Sequence, residues 1–234
     1  MSPYLFILCS ELLARLINWE VVNGSIKGVK LASNAPIISK LSYADDVLIF
    51  CGARISEVAR LMECVDKFCG WSGLIVNWDK YGIFTSKGVH THFIRRIRSQ
   101  WEFKLLHKDS KYLGLPLFLS ANKSKDLTFI KEKLEARVCG WKGKCLSWMG
   151  KATLIKFVAQ ATAIYGMSAF KFPKKLSADL NAICRKFWWS PTKEGNKFYT
   201  PMAWANLCKP LCDGGLGFRL FESFNEAMIA KLAW

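Results

Sequence analysis

Ile37-Ile38-Ser39-Lys40-Leu41-Ser42-Tyr43-Ala44-Asp45-Asp46-Val47-Leu48-Ile49-Phe50-Cys51 is the stretch on which the reading of the whole chain turns. Ile37–Tyr43 and Val47–Cys51 are two β-type runs. They flank Ala44-Asp45-Asp46, so the simplest local structure is a β-hairpin with two carboxylates at its tip. Adjacent aspartates repel each other and disfavour strand structure. A divalent cation removes that conflict, because hard oxygen ligands are what Mg²⁺ takes. In phosphoryl transfer two such ions activate the attacking hydroxyl and stabilise the leaving pyrophosphate. The competing reading is a solvent-exposed turn, since Asp-Asp occurs in many turns.

On the upstream side, Leu5, Leu8, Leu12, Leu16 and Trp19 repeat at helical spacing over residues 4–19, with Pro3 in the first turn and Ser2 as its cap. The apolar run Tyr4–Cys9 is short, has no basic segment before it and meets Glu11 and Arg15. It therefore reads as the start of a buried helix, not as a signal peptide. Gly24 and Gly28 follow, with a β-type piece at Ile26–Leu31. On the downstream side, Val58, Leu61, Val65 and Phe68 line one face of a helix over residues 56–69, capped by Ser56 and ended by Gly70 and Gly73. Short strands are expected at Leu74–Asn77 and Gly82–Thr85, and a strand with a turn at Tyr112-Leu113-Gly114-Leu115-Pro116-Leu117. Residues 1–118 thus form an α+β pattern.

Residues 119–234 read as mainly helical. One stripe is Leu127, Ile130, Leu134, Val138 and Trp141, and a second is Leu154, Ile155, Val158 and Thr162. A third is Leu180, Ile183, Cys184 and Phe187, capped by Ser177, and Phe224, Met228 and Leu232 begin a last helix.

The chain has 234 residues, 51% of them hydrophobic, which is enough to bury a core and excludes general disorder. Its formal charge of +16 favours a polyanionic partner, either nucleic acid or an anionic membrane surface. No apolar run approaches the roughly 18 residues of a membrane span. With no signal peptide either, the expected location is intracellular, in nucleus or cytoplasm. Residues 87–156 carry 16 Lys/Arg against 5 Asp/Glu, which is most of the surplus. Trp101, Tyr112, Trp141 and Trp148 are interleaved there, a mixture suited to phosphates and exposed bases. The alternative is a solvated basic helix face over a tryptophan core. The nine cysteines are scattered and odd in number, which predicts reduced, mostly buried thiols. Cys208-x3-Cys212 has metal-like spacing but no second pair follows it, so zinc and ordinary thiols both remain open.

Taken together the motifs resemble those of plant LINE-type (non-LTR) retrotransposon reverse transcriptases. Tyr43-Ala44-Asp45-Asp46 is similar to the [F/Y]-A-D-D hairpin, and Ser2-Pro3-Tyr4-Leu5-Phe6 to the end of the element preceding it. Ser72-Gly73-Leu74-Ile75-Val76-Asn77 with Lys80, and then Tyr112-Leu113-Gly114, resemble the next two palm motifs. Gly140-Trp141-Lys142-Gly143-Lys144, Leu154-Ile155-Lys156, Tyr165-Gly166-Met167-Ser168 and Phe187-Trp188-Trp189 resemble the region after the palm. So do Leu207-Cys208-Lys209-Pro210, Gly214-Gly215-Leu216-Gly217-Phe218-Arg219 and Phe224-Asn225.

The resemblance implies a partial right-hand polymerase palm over 1–118, an antiparallel hairpin with helices. A mostly α-helical thumb or connector over 119–234 follows. It implies RNA-templated DNA synthesis on an RNA template and DNA primer, with two Mg²⁺ ions, or Mn²⁺ in their place. Asp45 would be the main metal ligand and Asp46 the second carboxylate. Tyr43, Tyr112, Leu113 and Gly114 would lie at the primer end, and Lys80 near the incoming triphosphate as a proton donor to pyrophosphate. Lys142, Lys144, Lys151 and Lys156 would contact nucleic acid.

The chain also departs from the family pattern. Met1 directly precedes Ser2-Pro3, so the upstream strand with another catalytic Asp, and the fingers, are expected to be missing. Ala163, Cys212 and Tyr81 replace the usual proline, basic residue and serine. The expectation is a fragment inactive by itself, with marginal stability from an uncovered sheet edge. The alternatives are a polymerase whose missing Asp comes from a longer chain or a second molecule, and a non-catalytic nucleic-acid-binding module.

Overall fold

The computed structural model describes residues 3–78, 81–106, 110–142, 146–189 and 199–233. The chain forms two compact units, Met1–Leu113 and Gly114–Trp234. Helices with small two-stranded sheets make it an α+β structure.

The first unit begins with helix α1 (Pro3–Val22). The Glu20 carbonyl accepts from the amides of Ser25 and Ile26, which closes the helix end. Strand β1 (Val29–Lys30) pairs antiparallel with β2 (Ile37–Ile38). Gly28 lets these backbones meet, since a Cβ there would lie 2.6 Å from the Ile38 carbonyl oxygen. The hairpin is β3 (Lys40–Tyr43) with β4 (Asp46–Ile49), and helix α2 (Ile55–Ser72) follows it. Ile17, Ile26 and Leu61 form one buried cluster with Leu13, Val21 and Ile49 against it. Arg60 on α2 reaches the buried Glu20 carboxylate of α1 at 3.5 Å. A second cluster joins Val58 and Met62 to Ile97 on α3 (Thr91–Trp101) and to Phe103. Beside it, β5 (Gly82–Ile83) pairs parallel with β6 (Lys104–Leu105).

Several expectations need correction here. The stripe chosen on α1 is the wrong face. Leu5, Leu8, Leu12 and Trp19 are exposed, while Ile17 and Glu20 are buried with Leu13 and Val21 beside them. Both faces of this helix are apolar, so periodicity could not say which one the unit covers. Helix α2 starts after Arg54 with no side-chain cap, so Ser56 lies inside it. Leu74–Asn77 is not a strand: it belongs to none of the two-stranded sheets among the described residues. Helix α3 was not anticipated: four of its eleven residues are His92, Arg95, Arg96 and Arg98, and its buried residue is Ile97.

Strands β7 (Lys111–Tyr112) and β8 (Leu115–Pro116) stand either side of Leu113-Gly114, where both residues have positive φ, 54° and 79°. The second unit then runs through α4 (Lys123–Asp126), α5 (Thr128–Lys142), α6 (Trp148–Leu154), a π-helical turn (Ile155–Ala159) and α7 (Gln160–Ala169). It ends with α8 (Lys174–Trp189), α9 (Trp204–Leu207), a 3₁₀ turn (Leu211–Asp213) and α10 (Phe221–Ala233). Leu127, Ile130, Leu134 and Val138 are buried as the spacing predicts, against Leu180, Cys184 and Phe187 of α8. Full burial of such side chains contributes about 1.5–3 kcal/mol each. An ion pair between Lys131 and Asp179, 3.0 Å, crosses the α5–α8 contact.

The stripe Leu154, Ile155, Val158, Thr162 is displaced. The buried positions are Ile155, Ala159, Ala163 and Met167, four apart. A π-helical turn holds more residues per turn than an α-helix, so an interval of four stays on one face through it. Ser177 does not cap α8: the helix begins at Lys174, and Ser177 is buried within it. Among the described residues the thiols are not mostly buried, and Cys145 lies outside those residues. Cys64 and Cys184 are buried, whereas Cys139 and Cys212 are exposed and Cys9, Cys51, Cys69 and Cys208 are intermediate. Among the described residues no helix is long and apolar enough to cross a membrane.

Candidate active site

The hairpin carries the site. Its register is Lys40↔Ile49, Leu41↔Leu48, Ser42↔Val47 and Tyr43↔Asp46, leaving Ala44-Asp45 as a two-residue turn. Such turns need a positive φ that matches the twist of the strands. Ala44 supplies it at φ 50°, where a glycine would be unstrained. An alanine there costs roughly 1–2 kcal/mol. Strained residues cluster at functional turns, and the strain persists because neighbouring structure holds it.

Both strands are held at the base. The Lys40 ammonium donates to the Ala14 carbonyl of α1, and the Phe50 amide donates to the Ser39 carbonyl at 2.7 Å. Burial holds the Lys40 pKa below its usual value, partly opposed by the nearby Glu11 carboxylate. Beyond β4, the amide of Gly52 donates to the Glu57 carboxylate at 2.8 Å. Sequence reading passed over Lys40, Gly52 and Glu57, because a buried charge is indistinguishable from a surface one until its partners are known.

At the tip, Asp45 and Asp46 are exposed, and Tyr43 is 65% exposed. Among the described residues neither carboxylate has a side-chain partner, which leaves two adjacent anions open to solvent. Hard oxygen donors at an open tip fit the first ligands of a divalent cation. Among the described residues no third His, Cys, Asp or Glu joins them in a group of three. The Tyr112 hydroxyl points at the Asp46 carbonyl oxygen from 3.5 Å, so one of the expected primer-end residues does come to the hairpin. Leu113 and Gly114 form the positive-φ turn immediately after it.

The other named residues are placed differently. Lys80, Lys144 and the Lys142 side chain lie outside the described residues. Lys151, in the second unit, donates to the Trp188 carbonyl at 3.3 Å and sits 5.1 Å from the Trp148 ring centroid. Burial lowers its pKa. Lys156 lies 6.0 Å from the Phe218 ring centroid. On the same stretch Met149, Phe157 and Tyr165 are exposed.

The model of the family described as reverse transcriptase (RNA-dependent DNA polymerase) matches residues 1–117. A protein of Arabidopsis thaliana named "Putative ribonuclease H protein" is 35% identical over 105 residues, covering 45% of this chain and 17% of that protein. An uncharacterized mitochondrial protein of the same plant is 42% identical over 72 residues, covering 30% of this chain and 46% of that protein. Another is 44% identical over 46 residues, covering 20% of this chain and 38% of that protein. The chain thus spans less than half the length of each of these relatives. With its two exposed aspartates at a strained hairpin tip inside the matched half, the chain belongs to the reverse transcriptase (RNA-dependent DNA polymerase) family.

Proposed function

We propose that these 234 residues supply the carboxylate hairpin and a basic helical region to an RNA-directed DNA polymerase of a plant LINE-type (non-LTR) retrotransposon. In this reading residues 1–118 are the back of a palm and 119–234 a thumb or connector. The observation that carries it is the exposed Asp45-Asp46 pair at a turn with Ala44 at φ 50°. Asp45 would hold the metal, Asp46 would add a second oxygen ligand, and Tyr43 and Tyr112 would border the primer terminus. Mg²⁺, when bound, supplies charge stabilisation at the phosphoryl oxygens and acidifies the attacking hydroxyl. Lys80 would carry a proton toward pyrophosphate.

Two carboxylates at one tip are too few to bridge two metals. Among the described residues no third carboxylate joins them, so on this reading no polymerase activity is expected from these residues alone. Primer extension on an RNA template with Mg²⁺ or Mn²⁺, run beside the Asp45→Asn/Asp46→Asn double variant, tests this. No extension is expected from either protein, while Mn²⁺ binds the wild type and not the double variant. Extension that the double variant loses would mean that the carboxylate set is complete. Absence of Mn²⁺ binding would leave the hairpin a plain turn.

A second reading, a non-catalytic nucleic-acid-binding module, is favoured by the 16 Lys/Arg against 5 Asp/Glu in residues 87–156. It predicts steeply salt-dependent binding of an RNA–DNA hybrid that is indifferent to divalent metal.

A further inference from the structure

We infer that Glu57 is a positioning residue for the Asp45-Asp46 tip, acting through the backbone at the exit of the hairpin. The inference rests on reading that tip as a metal-ligand pair. Glu57 stands in the first turn of α2 and is 4% exposed. One oxygen, Oε2, accepts the Gly52 amide at 2.8 Å and the Lys27 amide at 2.9 Å. Gly52 lies three residues past the end of β4, and Lys27 lies two residues before β1. A single carboxylate thus fastens the hairpin's exit and the entry to the neighbouring strand pair onto one helix.

Three features argue against an ordinary first-turn glutamate. A glutamate serving only the helix dipole needs no burial, whereas this one turns inward onto amides 5 and 30 residues away. Its nearest cation, the Arg54 guanidinium, is 4.0 Å from Oε1 and largely exposed, so the backbone amides are its main partners. Gly52 is shaped to receive it: a Cβ there would lie 2.6 Å from Oε1 and 2.9 Å from Oε2. Any larger residue at 52 would push the carboxylate away.

The mechanical consequence follows from the pairing. From Gly52 the chain runs back through Phe50, bonded to Ser39, into the four paired positions of β3–β4. The other strand is held where Lys40 meets Ala14. The hairpin is gripped on both strands at its base, and its tip extends from that grip. Releasing Gly52 frees one strand at the base, so the β3–β4 ladder opens more often from that end and the angle of the tip is no longer defined.

The test compares the full chain with Glu57→Leu, Gly52→Ala and Glu57→Gln by hydrogen–deuterium exchange and by Mn²⁺ titration. Leucine keeps the volume and accepts nothing, whereas the glutamine carbonyl still accepts both amides. Peptides over residues 37–52 should exchange at least ten-fold faster in Glu57→Leu and Gly52→Ala, with α2 and the helices of the second unit unchanged. Mn²⁺ affinity should fall about ten-fold in the same two variants, and Glu57→Gln should match the wild type in both readouts. Unchanged exchange in Glu57→Leu, an equal rise throughout α2, or a glutamine variant that behaves like leucine would each overturn the inference. If the wild type binds no Mn²⁺ while the exchange pattern is as expected, the metal reading fails and the role of Glu57 in holding the hairpin stands.

Discussion

Asn225 and Phe172 are joined by a 2.8 Å hydrogen bond across 53 residues of sequence, the Phe172 amide donating to the Asn225 side-chain oxygen. The Asn225 amide group donates to the carbonyls of Met167 and Phe170, each at 2.8 Å, so one buried side chain satisfies three backbone groups where α7 ends. Asn225→Ala leaves all three without partners and should destabilise the second unit by about 3 kcal/mol. Asn225→Asp should cost a similar amount, because a carboxylate cannot donate to the two carbonyls. Urea unfolding of the three proteins checks this, and a difference below roughly 0.5 kcal/mol would contradict it.

Ala44 has φ 50° at the hairpin turn. Ala44→Gly should stabilise the first unit by about 1 kcal/mol through relief of that strain. Ala44→Val should destabilise it by more than that, since a β-branched residue is worse in the left-handed region. Thermal unfolding with hydrogen exchange over residues 37–52 separates the local effect from a global one.

Asp45→Asn removes one of the two adjacent anions and should weaken Mn²⁺ binding at least ten-fold. Asp46→Asn should weaken it less, because Asp45 is assigned the main ligand role. Neither should lower stability, since both side chains are exposed and relieved of mutual repulsion. Isothermal titration gives the affinities, and equal binding by all three proteins would place the metal elsewhere.

Gly215 packs against the backbone of Lys209 so closely that a Cβ would lie 2.0 Å from its carbonyl oxygen. Gly215→Ala should therefore cost roughly 3 kcal/mol. It should also disturb the neighbouring bonds from Leu216 to Leu207 and from Gly217 to Lys209, both 2.9 Å. By contrast, among the described residues nothing beyond its own helix lies within 4 Å of a Cβ at Gly70, so Gly70→Ala within α2 should be neutral or stabilising. Denaturation midpoints of the two variants decide the comparison.

Burial pushes the Cys184 thiol up to about 12, helped by the nearby Cys208. An unfolded thiol ionises near 9, so between these values the folded state keeps a proton that the unfolded state loses. The stability contribution of the neutral thiol is complete below pH 9 and is lost as pH rises toward 12. At pH 11 the loss should be on the order of 2–3 kcal/mol. Cys184→Ala should flatten that alkaline limb. Of the described cysteines, the exposed Cys139 and Cys212 should react first with a thiol reagent at pH 8.

Much of the candidate site was legible from local chemistry. The two β-type runs around Ala44-Asp45-Asp46 point to a hairpin with that tip, because two short apolar runs separated by a brief polar interruption favour a tight connection. The stripes of α5 and α8 were legible for the same reason: long, strongly periodic segments report their own buried face. What periodicity could not supply was choice between equivalent faces and between distant partners. Helix α1 offers two apolar faces, and only the packing of Ile17 against Ile26 and Leu61 selects its inner side. The buried face Ile155, Ala159, Ala163 and Met167 begins in a π-helical turn, which the apolar spacing does not announce. Glu57 reads as a surface charge until Gly52 and Lys27 arrive from elsewhere in the chain. The sequence by itself determined the two aspartates and the strands that present them, because those depend on neighbours along the chain. Only the tertiary structure decided which charges are buried and what they hold, because burial and hydrogen bonding are properties of groups brought together from distant positions.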